Sequence, residues 1–535
     1  LQQCIFLLIL LKQKEALWFD EFDAPVFIPA NNKKRVLMRG HCIIAILLFS
    51  TTYCLGQTHP FPQNLTYTSG SIKPNHKTTA QLNTEVELFY DAWKAKYIKN
   101  CSGKYYVDFT DENPAYITTS ESHGYGMMIT ALIAGYDTSA KTIFDGMYQY
   151  YKAHYSSINN KLMSWQQGNC AVAGGNDDAA TDGDLDIGYA LLLADSQWGS
   201  GGTINYLNEA KVILQAILTS EVHPASSHPL VGDWVSTAAD LKLSRTSDFL
   251  LDHFKAFGAA TGDARWNTVY EKVQALIGYL QSSAANASQT GLLPDFIQNA
   301  DTPTPTIPTG QVLETPQDGW YNWNACRDPW RISTDYLLSG DGRSKAAANK
   351  IITWLVGKSP VPASFTCATP LDGSGTSNGE LAFVAPYMVG MMVDPSHQAV
   401  LNTTYDWVIQ ANISSFTYFH NTLKMLCLLT ATGNYWAPGV ATGLEEAHSQ
   451  SKSPLQAFLT FGNDELFIQV ISAQILPATV MVTDAKGAVI YSRKDNFSMG
   501  LNALHVPCAG IVNGLYFVSI LTAENRLTLK FSKTQ

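Results

Sequence analysis

Between residues 80 and 435, apolar side chains recur every three to four residues in twelve separate stretches, divided by loops rich in Gly, Asn and Asp. The stretches are 85–97, 125–134, 139–154, 185–195, 204–219, 247–259, 266–282, 331–338, 343–356, 380–392, 397–410 and 418–432. A helix with an apolar stripe must bury it against a neighbour, so this part is expected to be a helix-on-helix assembly. Twelve helices joined by long loops are what an α/α toroid needs. No repeat of 34 or 40 residues runs through the region, which argues against a solenoid.

After Tyr435 the pattern changes. Residues 440–464 begin with small and polar side chains (ATGLEEAHSQSKSP) and read as a linker. From 465 to 535, short β-favouring runs at 466–472, 478–483, 489–492, 515–521 and 527–531 are separated by turn signals such as Ala485-Lys486-Gly487. They predict a small β-sandwich.

The first residues are set aside from the fold. Residues 1–37 read as upstream translation, and Met38 opens a secretory signal over 38–56. Arg39 and His41 supply its polar start, and 42–48 (CIIAILL) its apolar stretch, too short for a stable membrane span. Cleavage would leave a 57–439 helical domain, with Cys101, Cys170, Cys326, Cys367, Cys427 and Cys508 as its thiols and those of the β-domain. None has a metal-site spacing; disulfides are permitted in an exported chain but not required. A secreted or cell-surface bacterial protein is expected.

Net charge is −10 and only 15% of the 535 residues are charged, so a nucleic-acid partner is not indicated. Aromatics are abundant, with 12 Trp and 25 Tyr, a profile that suits a neutral polymer as substrate.

Three segments carry candidate chemistry. In Ser120-Glu121-Ser122-His123-Gly124-Tyr125-Gly126-Met127 a carboxylate stands at a helix start among glycines that would let a polymer approach the backbone. A Glu packed by aromatic and apolar neighbours can hold its proton near neutral pH; the plain alternative is a helix-dipole carboxylate. In Thr181-Asp182-Gly183-Asp184-Leu185-Asp186, three carboxylates crowd five residues. That is costly unless they are solvated, bind cations or receive hydrogen bonds from a polyhydroxy ligand. N-capping explains one Asp but not three, and the spacing is not that of an EF-hand. The third segment is Glu314 followed by Trp320-Tyr321-Asn322-Trp323-Asn324-Ala325-Cys326-Arg327-Asp328-Pro329-Trp330-Arg331. Indole rings stack on the apolar faces of pyranoses, and Arg and Asn bind hydroxyls.

Taken together these segments resemble glycoside hydrolase family 8. The resemblance rests on residues 180–198, with Gly188 where Ala is usual, on SESHGYGM around Glu121, on LMSWQQ around Trp165, and on SRTSDFLLDHFKAF. It implies an (α/α)6 barrel that hydrolyses cellulose, mixed-linkage β-glucan, chitosan or xylan with inversion. It further implies Glu121 as general acid, Asp182 as a contact to the sugar at the cleavage point, Trp165 as a sugar-stacking ring, and Arg327 near the base. Tyr125 and Trp323 would line the cleft, with Asp184, Asp248, Asn324 and Arg327 as further substrate contacts. One position departs from the common pattern: Asn324 stands where many members carry an Asp base, and an amide cannot accept a proton from water. The family's subgroup with this Asn uses a Glu on the preceding loop, which points to Glu314, with Asp318 as second candidate. The C-terminal region, through NGLYFVSI and a Lys-containing last strand, resembles the type IX secretion sorting domain of Bacteroidetes and implies a secretion-machinery partner.

The expected function is therefore an endo-acting inverting hydrolase of β-1,4 linkages in cellulose-like or mixed-linkage β-glucan, monomeric and without metal or cofactor. Chitosan is the alternative substrate. A glycan-binding protein that has lost its base, and a lyase on an α/α toroid, are the rivals from other classes. His123 is read as a satisfied loop histidine or a substrate contact.

Overall fold

The computed structural model describes residues 57–171, 177–283, 287–376 and 378–439. In the C-terminal part it describes 455–462, 465–472, 475–484, 487–498, 500–508, 510–512, 514–522 and 526–533. The readings of 1–56, and the linker as far as 454, lie outside the described residues.

Twelve helices of ten residues or more lie among the described residues: α1 Thr79–Tyr97, α2 Ser120–Leu132, α3 Ala140–Tyr151, α4 Thr181–Trp198, α5 Tyr206–Ser220, α6 Leu251–Thr261, α7 Arg265–Ser283, α8 Asp328–Ser339, α9 Gly342–Lys358, α10 Leu381–Gly390, α11 Gln398–Gln410 and α12 Tyr418–Ala431. The even-numbered helices touch in a closed cycle, α2–α4–α6–α8–α10–α12 and back to α2. Each odd-numbered helix packs outside this ring: α3 on α2, α5 on α4, α7 on α6, α9 on α8, α11 on α10 and α1 on α12. Sequence and layer agree. Every residue of α4 and α10 is buried; α10 is apolar on all sides, whereas α4 buries polar groups, among them Asp182, Asp184 and Asp186, that need partners. Outer helices such as α5 and α9 bury one stripe and expose the rest. None of the described helices is long and apolar enough to cross a membrane.

The two ends of the ring are finished differently. At the C-terminal ends of the inner helices, a strap from Thr58 to Ile72 donates backbone N–H groups to carbonyls the helices leave unpaired. Phe61 donates to Ala134 (2.6 Å), Leu65 to Gly433 (2.7 Å), Thr68 to Leu337 (3.0 Å) and Ile72 to Met392 (2.9 Å). The N-terminal ends carry the long loops, which are tied down by two-residue ladders. β3 (Thr118–Thr119) pairs with β4 (Gln166–Gln167), and β5 (Ser244–Arg245) with β6 (Phe296–Ile297), while β1 (Ile98–Cys101) and β2 (Lys104–Val107) form a hairpin. A disulfide, Cys101–Cys170, fastens that hairpin to the chain beyond β4. Cys326, Cys367 and Cys427 are buried free thiols, and Cys508 is buried as well.

The C-terminal part is all antiparallel. One sheet has the order β10 (Val489–Phe497), β9 (Leu476–Asp484), β12 (Gly514–Leu521), β13 (Arg526–Lys533); the other has β11 (Gly500–Pro507), β8 (Glu465–Ser472), β7 (Leu455–Gly462). Alternate residues of both sheets meet in one core: Leu466, Ile468 and Val470 face Val480, Val482, Val518 and Ile520. The linker reading is corrected at one end, because Leu455–Gly462 is a strand in register with β8. Its alternation, LQAFLTFG, is hidden in sequence by the polar run just before it.

Candidate active site

The acid segment owes its shape to helix packing. Helix α2 starts at Ser120, not near Tyr125, because Thr119 and Ser122 form a reciprocal cap that stabilises the first turn. Its glycines serve α2's neighbours rather than a polymer, which corrects the reading above. A Cβ on Gly124 would sit 2.7 Å from the Cβ of Asp186, and one on Gly183 would sit 2.6 Å from the Ser120 carbonyl carbon. Without side chains there, α2 and α4 come close enough to set Glu121 beside Asp182.

The three Asp of α4 are each solved separately. Asp182 and Asp186 are one helical turn apart and share a face, as are Arg327 and Arg331 across the ring. The result is two rungs. Arg331 grips both oxygens of Asp186 (3.0 and 2.9 Å), and His253 adds a third contact at 2.9 Å. Arg327 Nη1 donates to Asp182 (3.0 Å) and to Glu121 (2.7 Å). Burial alone would raise both Asp residues, but the guanidinium groups outweigh it and hold them below the usual carboxylate range. Asp184 points the other way. It accepts the Met163 N–H at 2.8 Å, and burial pushes its carboxyl well above the ordinary range, as it does for Glu221 nearby.

Glu121 itself is raised to about 7, first by burial and then by the charge of Asp182, against the pull of Arg327 and of the Tyr418 hydroxyl that donates to it at 3.0 Å. A fifth of its side-chain surface remains accessible, whereas Arg327 is 1% exposed. The carboxyl therefore holds a proton near neutral pH at a place a substrate can reach.

The loop bearing Glu314 is built around Asp318. That buried carboxylate accepts the N–H groups of Val312, Leu313, Glu314 and Thr315, at 2.7–3.1 Å. Asp295 does the same for the next turn, accepting from Asn322, Asn324 and Ala325. Glu314 emerges with 40% of its side chain exposed. Arg245 reaches one of its oxygens at 3.0 Å and the Asn324 amide donates to the other at 2.8 Å. Asn324 Oδ1 in turn accepts from Arg327 at 2.9 Å. Glu121 and Glu314 thus lie at opposite ends of one Arg327–Asn324 bridge, with the indoles of Trp165, Trp320 and Trp323 exposed among the same loops.

The profile of Glycosyl hydrolases family 8 matches residues 71–433. The chain belongs to that family. A Beta-glucanase of Niallia circulans is 43% identical over 410 residues, covering 76% of this chain and 97% of the relative. An Endoglucanase of Bacillus sp. (strain KSM-330) is 35% identical over 434 residues, covering 78% and 91%. Among solved structures, the apo Beta-1,3-1,4-glucanase from Paenibacillus sp. X4 aligns with a TM-score of 0.68 at 43% identity, over 71% of this chain and all of that one. A Paenibacillus barcinonensis protein complexed with xylose shares the fold at 16% identity, with a TM-score of 0.56, over 70% of this chain and 99% of that one. As a family 8 member the chain is a glycoside hydrolase.

Within this family 8 site, Glu121, Asp182, Glu314, Asn324 and Arg327 are brought together, and Trp165 and Trp323 present open rings. Four expected sugar contacts are corrected. Tyr125, Asp184 and Asp248 have no exposed surface, and Arg327 has almost none. The Tyr125 hydroxyl accepts from Arg327 and Arg331, so it supports the guanidinium groups from beneath. Asp248 faces Arg245 and is raised to about 7 by burial. Arg327 spends its donors on Glu121, Asp182, Tyr125, Ser247 and Asn324. His123 is a core residue: Nε2 lies 2.7 Å from the Met147 carbonyl, and burial lowers its pKa to about 4. Two residues at the site escape sequence reasoning. Arg245 stands in the quoted SRTSDF run without a local signal of its role, and Tyr418 arrives from the start of the last helix, 297 positions from Glu121.

Proposed function

We propose that this chain is an endo-acting, inverting hydrolase of β-1,4 linkages in cellulose-like or mixed-linkage β-glucan. The observation that carries this reading is the pairing of a shielded carboxyl raised to about 7 with an exposed one held at the far end of the same bridge. Glu121 gives its proton to the glycosidic oxygen as the bond to the anomeric carbon breaks. Water attacks that carbon from the opposite face and yields its proton to Glu314. Glu121 ends ionised and Glu314 protonated, and exchange with solvent restores both. Inversion needs room for the water, which corresponds to carboxyl groups roughly 6.5–9.5 Å apart.

Asn324 at the usual base position makes the chain a candidate for the subgroup whose base is a loop Glu. Asp318 is a poorer candidate, since both of its oxygens are taken up by backbone N–H groups. The closed cycle of six inner and six outer helices supports an (α/α)6 barrel with its cleft at the N-terminal ends. The glucanase names of the relatives favour β-glucan over chitosan. The C-terminal sheets are compatible with a sorting domain of the type IX route, and with it a secreted or cell-surface location for a monomer whose signal is 38–56.

The test is release of reducing ends from mixed-linkage β-glucan by the full chain and by Glu314→Gln. General acid–base catalysis is worth about 10²–10⁴-fold, so the variant should lose at least that lower figure. A variant that keeps most of its activity sinks the base assignment, and an inactive unmutated chain sinks the substrate assignment.

A further inference from the structure

Resting on the reading of Glu314 as base, we infer that Arg245 and Asn324 form a two-sided clamp that fixes the direction of its carboxylate, and that both are positioning residues for proton acceptance. Glu314 stands on a loop and 40% of its side chain is exposed, so left to itself it would sample several rotamers. A base must instead hold a lone pair on the attacking water, and displacement of a reacting group by about 1 Å can cost about 10²-fold.

The clamp is itself rigid. Arg245 lies on β5, its guanidinium 5.4 Å over the Phe296 ring of the paired strand β6, and it is 8% exposed. It stands among three carboxylates, at 3.0 Å from Glu314, 3.7 Å from Asp182 and 3.9 Å from Asp248. Burial works against its charge, but these neighbours outweigh it and raise its pKa, so the grip does not titrate. Asn324 completes the clamp with a fixed polarity. Its amide NH2 must donate to Glu314 because its oxygen is committed to Arg327, which also donates to its backbone carbonyl at 3.1 Å.

Each Glu314 oxygen has two lone pairs, and one donor on each leaves a second pair for the water. A carboxylate in place of Asn324 could accept from Arg327 but could not donate to Glu314, and it would set a like charge against it. Position 324 therefore needs an amide for as long as Glu314 is the base.

The experiment compares kcat and KM on mixed-linkage β-glucan for the full chain and for Arg245→Met, Arg245→Lys, Asn324→Ala, Asn324→Asp and Glu314→Gln. The clamp predicts kcat down by about 10²-fold in Arg245→Met and Asn324→Ala with KM little changed. Arg245→Lys, which keeps the charge, should recover part of the loss, and Asn324→Asp should be no better than Asn324→Ala. Asn324 is half-exposed, so its variants report even where a change at buried Arg245 prevents folding. Near-normal kcat in Asn324→Ala and Arg245→Met beside an inactive Glu314→Gln overturns the clamp alone. Activity in Glu314→Gln overturns the base reading and the clamp with it. Asn324→Asp as active as the unmutated chain overturns the requirement for an amide.

Discussion

Replacing Glu121 with Gln should flatten one part of the enzyme's pH–stability curve while abolishing turnover. In the fold the Glu121 carboxyl is raised from an ordinary 4.5 to about 7, with burial the largest cause. The folded chain therefore binds this proton more tightly than the unfolded chain does. Stability contributed by the protonated form is full below the ordinary value and declines as pH rises through the window to about 7. At about 1.4 kcal/mol per unit, the ionised form costs roughly 3 kcal/mol by pH 8. The side chain is mostly shielded, so solvent screening trims this figure only modestly. Gln has no such titration. Whatever constant offset the altered contact with Arg327 introduces, the stability of Glu121→Gln relative to the unmutated chain should grow by about 3 kcal/mol between pH 5 and pH 8. For a helical domain of this size that corresponds to a divergence in Tm of about 4 °C. Thermal unfolding of both proteins at four pH values measures it. A difference that stays constant from pH 5 to pH 8 would refute the raised carboxyl, and with it the argument that Glu121 serves as an acid near neutrality. The same shift places the alkaline limb of kcat/KM near pH 7, where the acid loses its proton.

Two further outcomes follow from the same geometry. Asp182→Asn removes the counter-charge that Arg327 and Arg245 share; breaking such a buried pair should cost about 3–5 kcal/mol of stability, read by urea denaturation. Cys170→Ser releases the hairpin tether five residues beyond Trp165, so it should raise KM for polymeric glucan by a few-fold while leaving kcat near normal; an unchanged KM would show that the tether has no part in substrate binding.

Legibility in the sequence varied with the physics of each segment. All twelve helices could be read because each carries an apolar period long enough to be unmistakable, and the change to alternation after 465 marked the sheets. The least legible parts were the first turns of the inner helices. The apolar spacing predicts α2 from 125, α4 from 185 and α8 from 331, whereas they begin at Ser120, Thr181 and Asp328. The first two of those turns set Glu121 and Asp182 among polar neighbours, and the third puts Asp328 and Pro329 beside Arg327; none of them continues an apolar period, so they resemble loop. The local Thr119–Ser122 cap starts α2, and the carboxylates are held by partners distant in sequence, Arg327 for Glu121 and Asp182, Arg331 for Asp186. At the start of α6 the difference runs the opposite way. The apolar spacing predicts helix from 247, but Thr246–Asp248 is a 3-10 turn that puts Ser247 against Arg327 and Asp248 against Arg245, and the helix begins at Leu251. The charge crowding in 182–186 leaves solvation, cations or a polyhydroxy ligand open; in the fold, arginines of the same protein meet Asp182 and Asp186, while Asp184 accepts a backbone N–H. The family resemblance points to Trp165 and Trp323, whose rings are exposed, and also to Tyr125, which is buried and supports the guanidinium groups.

The most direct measurement of the central claim is the anomeric configuration of the first product. Proton NMR of mixed-linkage β-glucan, followed within the first minutes of hydrolysis by the full chain, should show new reducing ends appearing as the α-anomer and only later equilibrating. Initial appearance of the β-anomer would mean a covalent glycosyl intermediate, and would contradict the assignment of Glu121 and Glu314 as an acid and a base with a water between them.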